Sequence, residues 1–240
     1  MHAKRILVLA GTHEARLLAN RLVKDGYDVI SSFAGVTAHP LLPQGEIRTG
    51  GFGGADGLRK YVAEAHIDFV VDATHPFAAI ISRHAAQAVP RLLRLERRAW
   101  VAQEGDNWIN VPDIGAAVAA LPFEARVLLT IGRKEIAPFM SRPDLSGVGR
   151  MIEPPDNKLP ATWRLVLQRP PFDLDDELIL LREARISHVA SKNAGGSETA
   201  AKLEAARLCH IPVVMIARPF KPDVETFSSV NTIAAAIACR

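Results

Sequence analysis

Apolar residues change their spacing in a regular way along the chain. Ile6–Ala10 is a continuous apolar run, and the apolar positions from Ala15 to Leu22 then follow the spacing i, i+3, i+4, i+7 of one helix face. The pair Asp25-Gly26 that comes next is typical of the end of a helix. This part of the chain is therefore predicted to form a β-strand followed by an amphipathic helix.

The same alternation continues through the first part of the chain. It predicts strands at Asp28–Ser32, Ile47-Arg48 and Ile67–Thr74, and helices at Asp56–Ala65 and Ala78–Ala88. Continuous apolar strands separated by helices are typical of a parallel sheet that is covered on both faces. Residues 1–98 are accordingly predicted to form a Rossmann-like domain.

The second part repeats this order with longer interruptions. It predicts strands at Arg126–Gly132 and Ile211–Pro219, a strand that passes into a loop within Ile186–Gly196, and helices at Glu198–Cys209 and Val230–Ala238. Ser141–Pro160 is rich in Pro, Asp and Gly and is predicted to be a long loop or lid. The fold class is thus α/β, with two Rossmann-like parallel-sheet domains, 1–98 and 99–240, facing each other across a substrate cleft.

Composition excludes several classes of protein. Of 240 residues, 48% are hydrophobic, but no apolar run approaches the roughly 20 residues that a membrane helix needs. The two cysteines, Cys209 and Cys239, lie far apart and outside any metal-ligand spacing, so neither a disulfide framework nor a zinc site is expected. Together with an N-terminus that lacks signal-peptide anatomy, this predicts a cytoplasmic protein without a metal site.

The charge of the chain and the absence of known catalytic motifs limit the kinds of function that are expected. The net charge of +3 comes without a long Lys/Arg block and with few aromatic residues, which argues against nucleic-acid binding. The basic excess is either a solvated surface or a cleft that attracts an anionic ligand. Serine-hydrolase, zinc-protease, Walker A and paired-cysteine motifs are all absent. Cofactor chemistry, in which the protein orients the reactive group, fits this pattern.

Two strand ends in the first part are candidates for nucleotide binding. Gly11 is the one glycine at the first strand-to-helix turn, where helix N-terminal amides can bind a phosphate. Thr12 offers its hydroxyl either to that phosphate or as a helix cap. Ser31 and Ser32 end the second strand, and without a carboxylate there the position favours NADP over NAD, unless the serines are plain turn residues.

Three further clusters carry polar or conformationally unusual residues. Thr49–Gly54 has four glycines around Phe52, so it is either a backbone that a ligand approaches closely or a flexible loop. In Asp72–Phe77, His75 either exchanges protons or positions substrate, or it caps the next helix. In Ser191–Gly196 a lysine, an amide and two glycines form an anion-binding pattern, the alternative being a solvated Lys192.

Five stretches, "AGTHEA", "GGFGG", "DATHPFA", "SKNAGG" and "IPVVMIARP", follow one another in this order over nearly the whole chain. In this respect the sequence resembles the precorrin-6A reductase family. The resemblance implies hydride transfer from NADPH to precorrin-6A, an anionic tetrapyrrole, to give precorrin-6B in aerobic cobalamin (vitamin B12) biosynthesis. Relatives in the anaerobic route reduce the cobalt-containing equivalent. Hand-over to neighbouring enzymes of the pathway is compatible with this assignment.

The resemblance also assigns roles to residues. Two are expected to be catalytic, His75 and Lys192. Those expected to bind the cofactor are Gly11, Thr12, Glu14, Ser31, Ser32, Gly51, Gly53 and Thr74. Those expected to bind substrate are Phe52, His75, Arg133, Lys134, Lys192, Asn193, Gly195 and Gly196.

The sequence departs from the family pattern at two positions. Val36 stands where relatives commonly carry arginine, and Ala194 stands where serine is common. The first change removes an obvious partner for the cofactor 2′-phosphate or for a substrate carboxylate. A non-catalytic tetrapyrrole carrier or nucleotide sensor is the alternative from another class of protein, and it would bind the ring without oxidising NADPH.

Overall fold

The structure is a computed structural model that describes residues 3–35 and 41–240. The predicted departure at Val36 therefore lies outside the described residues. Contacts divide the chain into two compact units, a first unit of residues 1–98 with 220–240 and a second unit of residues 99–219. Across the described ranges, every helix is too short or too polar to cross a membrane.

Strands and helices alternate along most of the chain. The strands are β1 (Arg5–Leu9), β2 (Asp28–Phe33), β3 (Glu46–Thr49), β4 (Phe69–Asp72), β5 (Leu92–Leu95), β6 (Trp108–Val111), β7 (Arg126–Thr130), β8 (Ser146–Met151), β9 (Trp163–Leu167), β10 (His188–Lys192), β11 (Val213–Ile216) and β12 (Glu225–Phe227). The helices are α1 (His13–Lys24), α2 (Ala55–Glu64), α3 (Ala79–Ala88), α4 (Ile114–Ala119), α5 (Ala137–Met140), α6 (Leu174–Glu183), α7 (Ala201–Leu208) and α8 (Val230–Ala238), with a short 3-10 turn at Arg133–Glu135.

The first unit contains a six-stranded parallel sheet in the order β12-β5-β4-β1-β2-β3. Strand β1 shows why its sequence is continuously apolar. Ile6 and Val8 join a core that includes α1 and α8, whereas Leu7 and Leu9 join a core that includes α2 and α3. Both faces of the strand are therefore buried, which confirms the predicted parallel sheet covered on both sides.

The second unit contains another six-stranded parallel sheet, in the order β6-β11-β10-β7-β8-β9. Leu128, Val189 and Met215 from its central strands are buried against Leu181 of α6 and Leu203 of α7. The predicted fold class of two Rossmann-like α/β domains is thus confirmed.

In each sheet the strands lie in the spatial order 3-2-1-4-5-6 of a Rossmann fold. The strand in the sixth place, however, comes from another part of the sequence than the fold would lead one to expect. In the first sheet the sixth place is taken by β12, from the end of the chain. In the second sheet it is taken by β6, which precedes the other strands of that sheet. The sixth strand of neither unit is therefore the next strand in sequence after its fifth.

This exchange changes the predicted division of the chain. The boundary between Arg98 and Ala99 coincides with the predicted one, but the C-terminal residues 220–240 belong to the first unit and not to a domain of residues 99–240. The physical reason is that β12 pairs with β5 and that Ile233 and Ile237 of α8 are buried in the core around α1. The helix itself, Val230–Ala238, was predicted correctly.

The prediction of a loop or lid at Ser141–Pro160 was wrong in its middle part, where β8 runs inside the second sheet. Two glycines in this strand, Gly147 and Gly149, gave the segment the composition of a loop. Gly147 has a φ of 142°, and a side chain there would collide with the backbone of Val127 on the neighbouring strand. The sequence is glycine-rich here because two strands approach closely, and not because the chain turns.

We expect Ile237→Ala to destabilise the first unit. Ile237 is completely buried, so its truncation should lower the free energy of unfolding by about 2–5 kcal/mol. Hydrogen exchange should accelerate in β1 and β5, which share its core, and Ile179→Ala on the exposed side of α6 is the matched control. Loss of protection confined to β10 and β11 would contradict the assignment of α8 to the first unit.

Candidate functional site

The turn between β1 and α1 leaves backbone donors accessible. Gly11 is exposed with a φ of 136°, and no atom lies within 4 Å of the place where its side chain would be. Thr12 is the N-cap of α1: its hydroxyl accepts from the amide of Ala15 at 3.0 Å and donates to the carbonyl of Ala73 at 2.9 Å. The cap is thus the observed role of the Thr12 hydroxyl, and the anion-binding capacity of the turn rests on its backbone amides.

The serine pair of β2 is buried inside the sheet. Ser31 and Ser32 are 0% and 5% exposed, and the strand continues to Phe33, so neither serine is a turn residue. Ser32 accepts a hydrogen bond from Arg48 on β3 at 3.3 Å. The hydroxyl oxygen of Ser31 has no hydrogen-bond partner among the described residues.

The glycine cluster is organised by Arg48, a residue that the sequence patterns did not single out. Its guanidinium donates to the carbonyls of Gly50 at 2.6 Å and Gly51 at 2.9 Å, and it lies 3.8 Å from the ring centre of Phe52. A side chain at Gly57 in α2 would collide with the carbonyl oxygen of Phe52. The cluster is therefore a loop folded tightly against α2. An isolated arginine beside four glycines was the signal that could have found it.

Asp72 ends β4 as a buried carboxylate with several donors around it. It accepts from the hydroxyl of Thr74 at 2.6 Å and from Nε of Arg94 at 3.2 Å. Burial acts to raise the pKa of Asp72. Hydrogen bonds from Thr74 and Ser82 and the positive charges of Lys221 and Arg94 outweigh burial, however, and hold that pKa below its ordinary value. The Thr74 hydroxyl is thus engaged inside the protein.

His75 lies in the turn that leads from β4 to α3. Its Nδ1 accepts a hydrogen bond from the amide of Phe77 at 3.2 Å, so the neutral ring carries its proton on Nε2. Its carbonyl accepts from the amide of Ala78 at 2.8 Å and from Lys221 at 3.4 Å. The ring is half-buried, and its orientation is set by the local turn.

Glu14, in the first turn of α1, is paired with Arg97 at 2.9 Å. Both side chains are largely shielded from solvent. The carboxylate is therefore engaged by a residue that follows β5, and a cofactor would meet Glu14 as one half of an ion pair.

In the second unit, the predicted basic residues differ in their surroundings. Lys192, at the end of β10, forms an ion pair with Glu135 of the 3-10 turn. Arg133 is paired with Asp156 at 2.6 Å, and Lys134 is exposed. The partners Glu135 and Asp156 were not foreseen, because nothing in the sequence spacing connects them to these bases.

Asn193 holds the loop after β10 to another segment of the second unit. Its amide accepts from the backbone N–H of Trp100 at 2.8 Å and donates to the carbonyl of Trp100 at 3.0 Å. The indole of Trp100 donates to the carbonyl of Gly196 at 2.9 Å, and Arg218 donates to the carbonyls of Asn193 and Ala194. The carbonyls of the loop thus face inward onto donors, and Gly195 and Gly196 both have positive φ.

The predicted residues gather at the carboxyl ends of neighbouring strands in each unit. Those of the first unit follow or end β4, β1, β2 and β3, which are adjacent in the sheet in this order. Those of the second unit follow or end β7 and β10, which are also adjacent. In the first sheet the strand order reverses between β1 and β4, and this is where doubly wound sheets bind ligands.

The first of these clusters fits a dinucleotide. The turn after β1 is open and glycine-lined, α1 presents its first-turn amides, and β2 ends without a carboxylate. Within the part of the chain that the structure describes, no group of His, Cys, Asp and Glu side chains is placed to hold a metal ion.

We expect Asp72→Asn to lower the free energy of unfolding at neutral pH by about 3–5 kcal/mol, because it leaves the buried charge of Arg94 without its partner. The folded pKa of Asp72 is lowered, so its contribution is present above the ordinary aspartate pKa and is lost as pH falls through the folded value. Urea unfolding over a pH series should show that the difference in free energy of unfolding between wild type and variant becomes smaller at acid pH.

Asp56→Asn is the matched control, since its carboxylate is almost fully exposed in a surface ion pair with Arg59. Its effect should stay within about 0.5 kcal/mol at every pH. If the difference in free energy of unfolding between wild type and Asp72→Asn stayed constant as the pH was lowered, the role of the ionised carboxylate would be contradicted.

Comparison with known proteins agrees with the architecture of both units. Residues 5–239 match the family model described as "Precorrin-6x reductase CbiJ/CobK". The chain is similar to a solved structure named "CobK precorrin-6A reductase", with a TM-score of 0.92 and 41% identity, covering 98% of this chain and 96% of the other.

Relatives of known sequence give the same result. Proteins named "Precorrin-6A reductase" are 46% identical in Rhodococcus erythropolis, over 98% of this chain and 96% of theirs, and 44% identical in Rhodobacter capsulatus, over 91% and 89%. A "Cobalt-precorrin-6A reductase" of Priestia megaterium is 29% identical, over 89% of this chain and 90% of its own. By its family-model match and by its near full-length similarity to these relatives, the chain belongs to the precorrin-6x reductase CbiJ/CobK family.

Proposed function

We propose that the protein reduces a double bond of precorrin-6A with NADPH, giving precorrin-6B in aerobic cobalamin biosynthesis. The observation that carries the proposal is the open Gly11 turn where the strand order of the first sheet reverses, in a chain of this reductase family. The relatives named for precorrin-6A are more similar to the chain than the relative named for the cobalt form, which favours the cobalt-free substrate. Two free cysteines suit a cytoplasmic setting.

NADPH supplies the hydride in this reaction. On the proposed assignment, the amides after Gly11 would hold its pyrophosphate, and the end of β2 with Ser31 and Ser32 would be the place for its adenosine ribose. Gly51 and Gly53 allow close approach of the loop backbone. Glu14 and Thr74 would shape the cofactor site without binding the cofactor through their polar groups, because those groups are already bound to Arg97 and Asp72.

The protein contributes orientation and a proton. Holding the donor and acceptor carbons in the right orientation can lower the activation barrier by roughly 7–11 kcal/mol in favourable cases. We propose His75 as the residue nearest the reacting ring. Its Nδ1 is occupied by the Phe77 amide, so Nε2–H is the atom that would donate a proton to the reduced macrocycle.

We propose that the second unit binds the acetate and propionate carboxylates of the substrate. Lys192, Arg133, Lys134, Asn193 and the amides of Gly195 and Gly196 are the groups concerned. Lys192 is paired with Glu135, so a substrate carboxylate would take the place of the Glu135 carboxylate. Asn193 would act by holding the loop, because its amide is bound to Trp100.

Turnover tests the proposed reaction directly. Purified protein with precorrin-6A should oxidise NADPH, seen as loss of the reduced nicotinamide absorption together with a change in the tetrapyrrole spectrum. NADH should react more slowly at subsaturating cofactor, and the cobalt-containing substrate should be the poorer one. Tight binding of the ring without cofactor oxidation would instead identify a carrier or sensor, and equal rates with NADH would contradict the cofactor assignment.

Lys192→Ala should weaken binding of precorrin-6A more than binding of NADPH, because the lost charge faces the substrate on this proposal. Glu135→Gln should leave substrate affinity unchanged or higher, since it removes the carboxylate that a substrate carboxylate would have to displace from Lys192. Titration of each ligand into both variants measures this, with Lys158→Ala, an exposed lysine of the same unit, as control. An equal loss of both ligands in Lys192→Ala would refute the assignment.

A further inference from the structure

Arg48 occupies a defined place at the carboxyl end of β3. Its Cα pairs in register with that of Ser32 on β2, and its side chain is half-buried. The guanidinium donates to the Ser32 hydroxyl at 3.3 Å and to the carbonyls of Gly50 and Gly51. One face of it lies 3.8 Å from the ring centre of Phe52. These contacts fix the orientation of the cation before any ligand arrives.

The charge of Arg48 is not neutralised inside the protein. Throughout residues 3–35 and 41–240 its hydrogen bonds go to a hydroxyl and to carbonyls, and it makes no ion pair. Residues 36–40, Val-Thr-Ala-His-Pro, contain no carboxylate side chain either. By contrast, Arg94 and Arg97 of the same unit are both paired with acidic residues. A guanidinium has more N–H donors than the three bonds use, so it can still bind an anion.

The position of Arg48 in the sheet indicates which anion. Strand β2 lies between β3 and β1, and β1 leads into the open Gly11 turn. In a Rossmann sheet the pyrophosphate lies at that turn and the ribose at the end of β2, where an acidic residue reads the 2′-hydroxyl or an arginine accepts a 2′-phosphate. Here β2 ends in Ser31, Ser32 and Phe33, without a carboxylate, and the arginine stands on the next strand, roughly 5 Å away.

We infer that Arg48, held by Ser32 and the glycine loop and stacked on Phe52, binds the 2′-phosphate of NADPH and selects it over NADH. This rests on the proposed function, in that a dinucleotide binds at the first sheet. A planar guanidinium meets a phosphate with two parallel hydrogen bonds, which an ammonium cannot do. Because the side chain is already ordered, little rotamer entropy is lost when the phosphate binds.

Calorimetric titration of Arg48→Met with NADPH, NADH, adenosine 2′,5′-bisphosphate and AMP tests the inference. Affinity for NADPH and for the bisphosphate should fall on the order of 10- to 100-fold, while NADH and AMP stay within about threefold. Arg48→Lys keeps the charge but loses the planar fork, and should show an intermediate preference. Arg59→Met is the matched control, since Arg59 lies on α2 in an exposed ion pair with Asp56.

The outcomes separate this inference from the proposed function. If the wild type binds neither dinucleotide, or prefers NADH, the cofactor assignment fails whatever Arg48 does. If the wild type prefers NADPH and Arg48→Met loses NADPH and NADH equally, or neither, the inference is overturned. Loss of precorrin-6A binding with NADPH affinity retained would assign Arg48 to a substrate carboxylate and overturn it as well. Should Arg48→Met unfold, Arg48→Lys takes its place, and an unchanged NADPH preference in that variant would likewise overturn the inference.

Discussion

The negative charge of Asp72, buried at the end of β4, constrains much of the first unit. An ionised carboxylate is stable away from water only when hydrogen bonds and an opposite charge compensate it. Thr74 and Arg94 do so here, and Arg94 also binds the carbonyl of Pro222 at the start of the C-terminal segment. The conformation of the turn that carries His75 and the docking of the C-terminal segment thus depend on the same ionised group.

The cations near the two sheets are held in two different ways, and this bears on how each would meet a ligand. Lys192 and Arg133 are paired with carboxylates, so an anionic ligand must displace an internal partner before it binds. Arg48 is held by neutral oxygens and an aromatic ring, so it can accept an anion with its existing contacts intact. At Lys192 and Arg133 the binding of an anion is thus an exchange of one carboxylate for another group, whereas at Arg48 it breaks no ion pair.

Local patterns in the sequence predict those parts of the fold that depend on local spacing. The run at Ile6–Ala10 and the helix Val230–Ala238 were predicted because apolar spacing alone reports strand and helix. Strand β8 was missed because Gly147 is required by a neighbour in space. Strands β5 and β12 were not predicted as strands, and their pairing could not be, because no periodicity records which sheet a strand joins. The same holds for part of the site. Gly11 could be recognised from its place after an apolar run, but the hydrogen bond from the Thr12 hydroxyl to Ala73 and the one from Arg48 to Ser32 join separate segments of the chain.

The exchange of the sixth strands has a consequence for the order in which the two units can finish folding. All residues of the second unit lie in one continuous stretch, so that unit needs no segment from elsewhere in the chain to complete its sheet. The first unit, by contrast, lacks β12 and α8 until residues 225–238 have been made. The core around α1 therefore lacks Ile233, Ala234 and Ile237 until α8 has been made, so the first unit needs a segment made after the whole second unit to complete its fold.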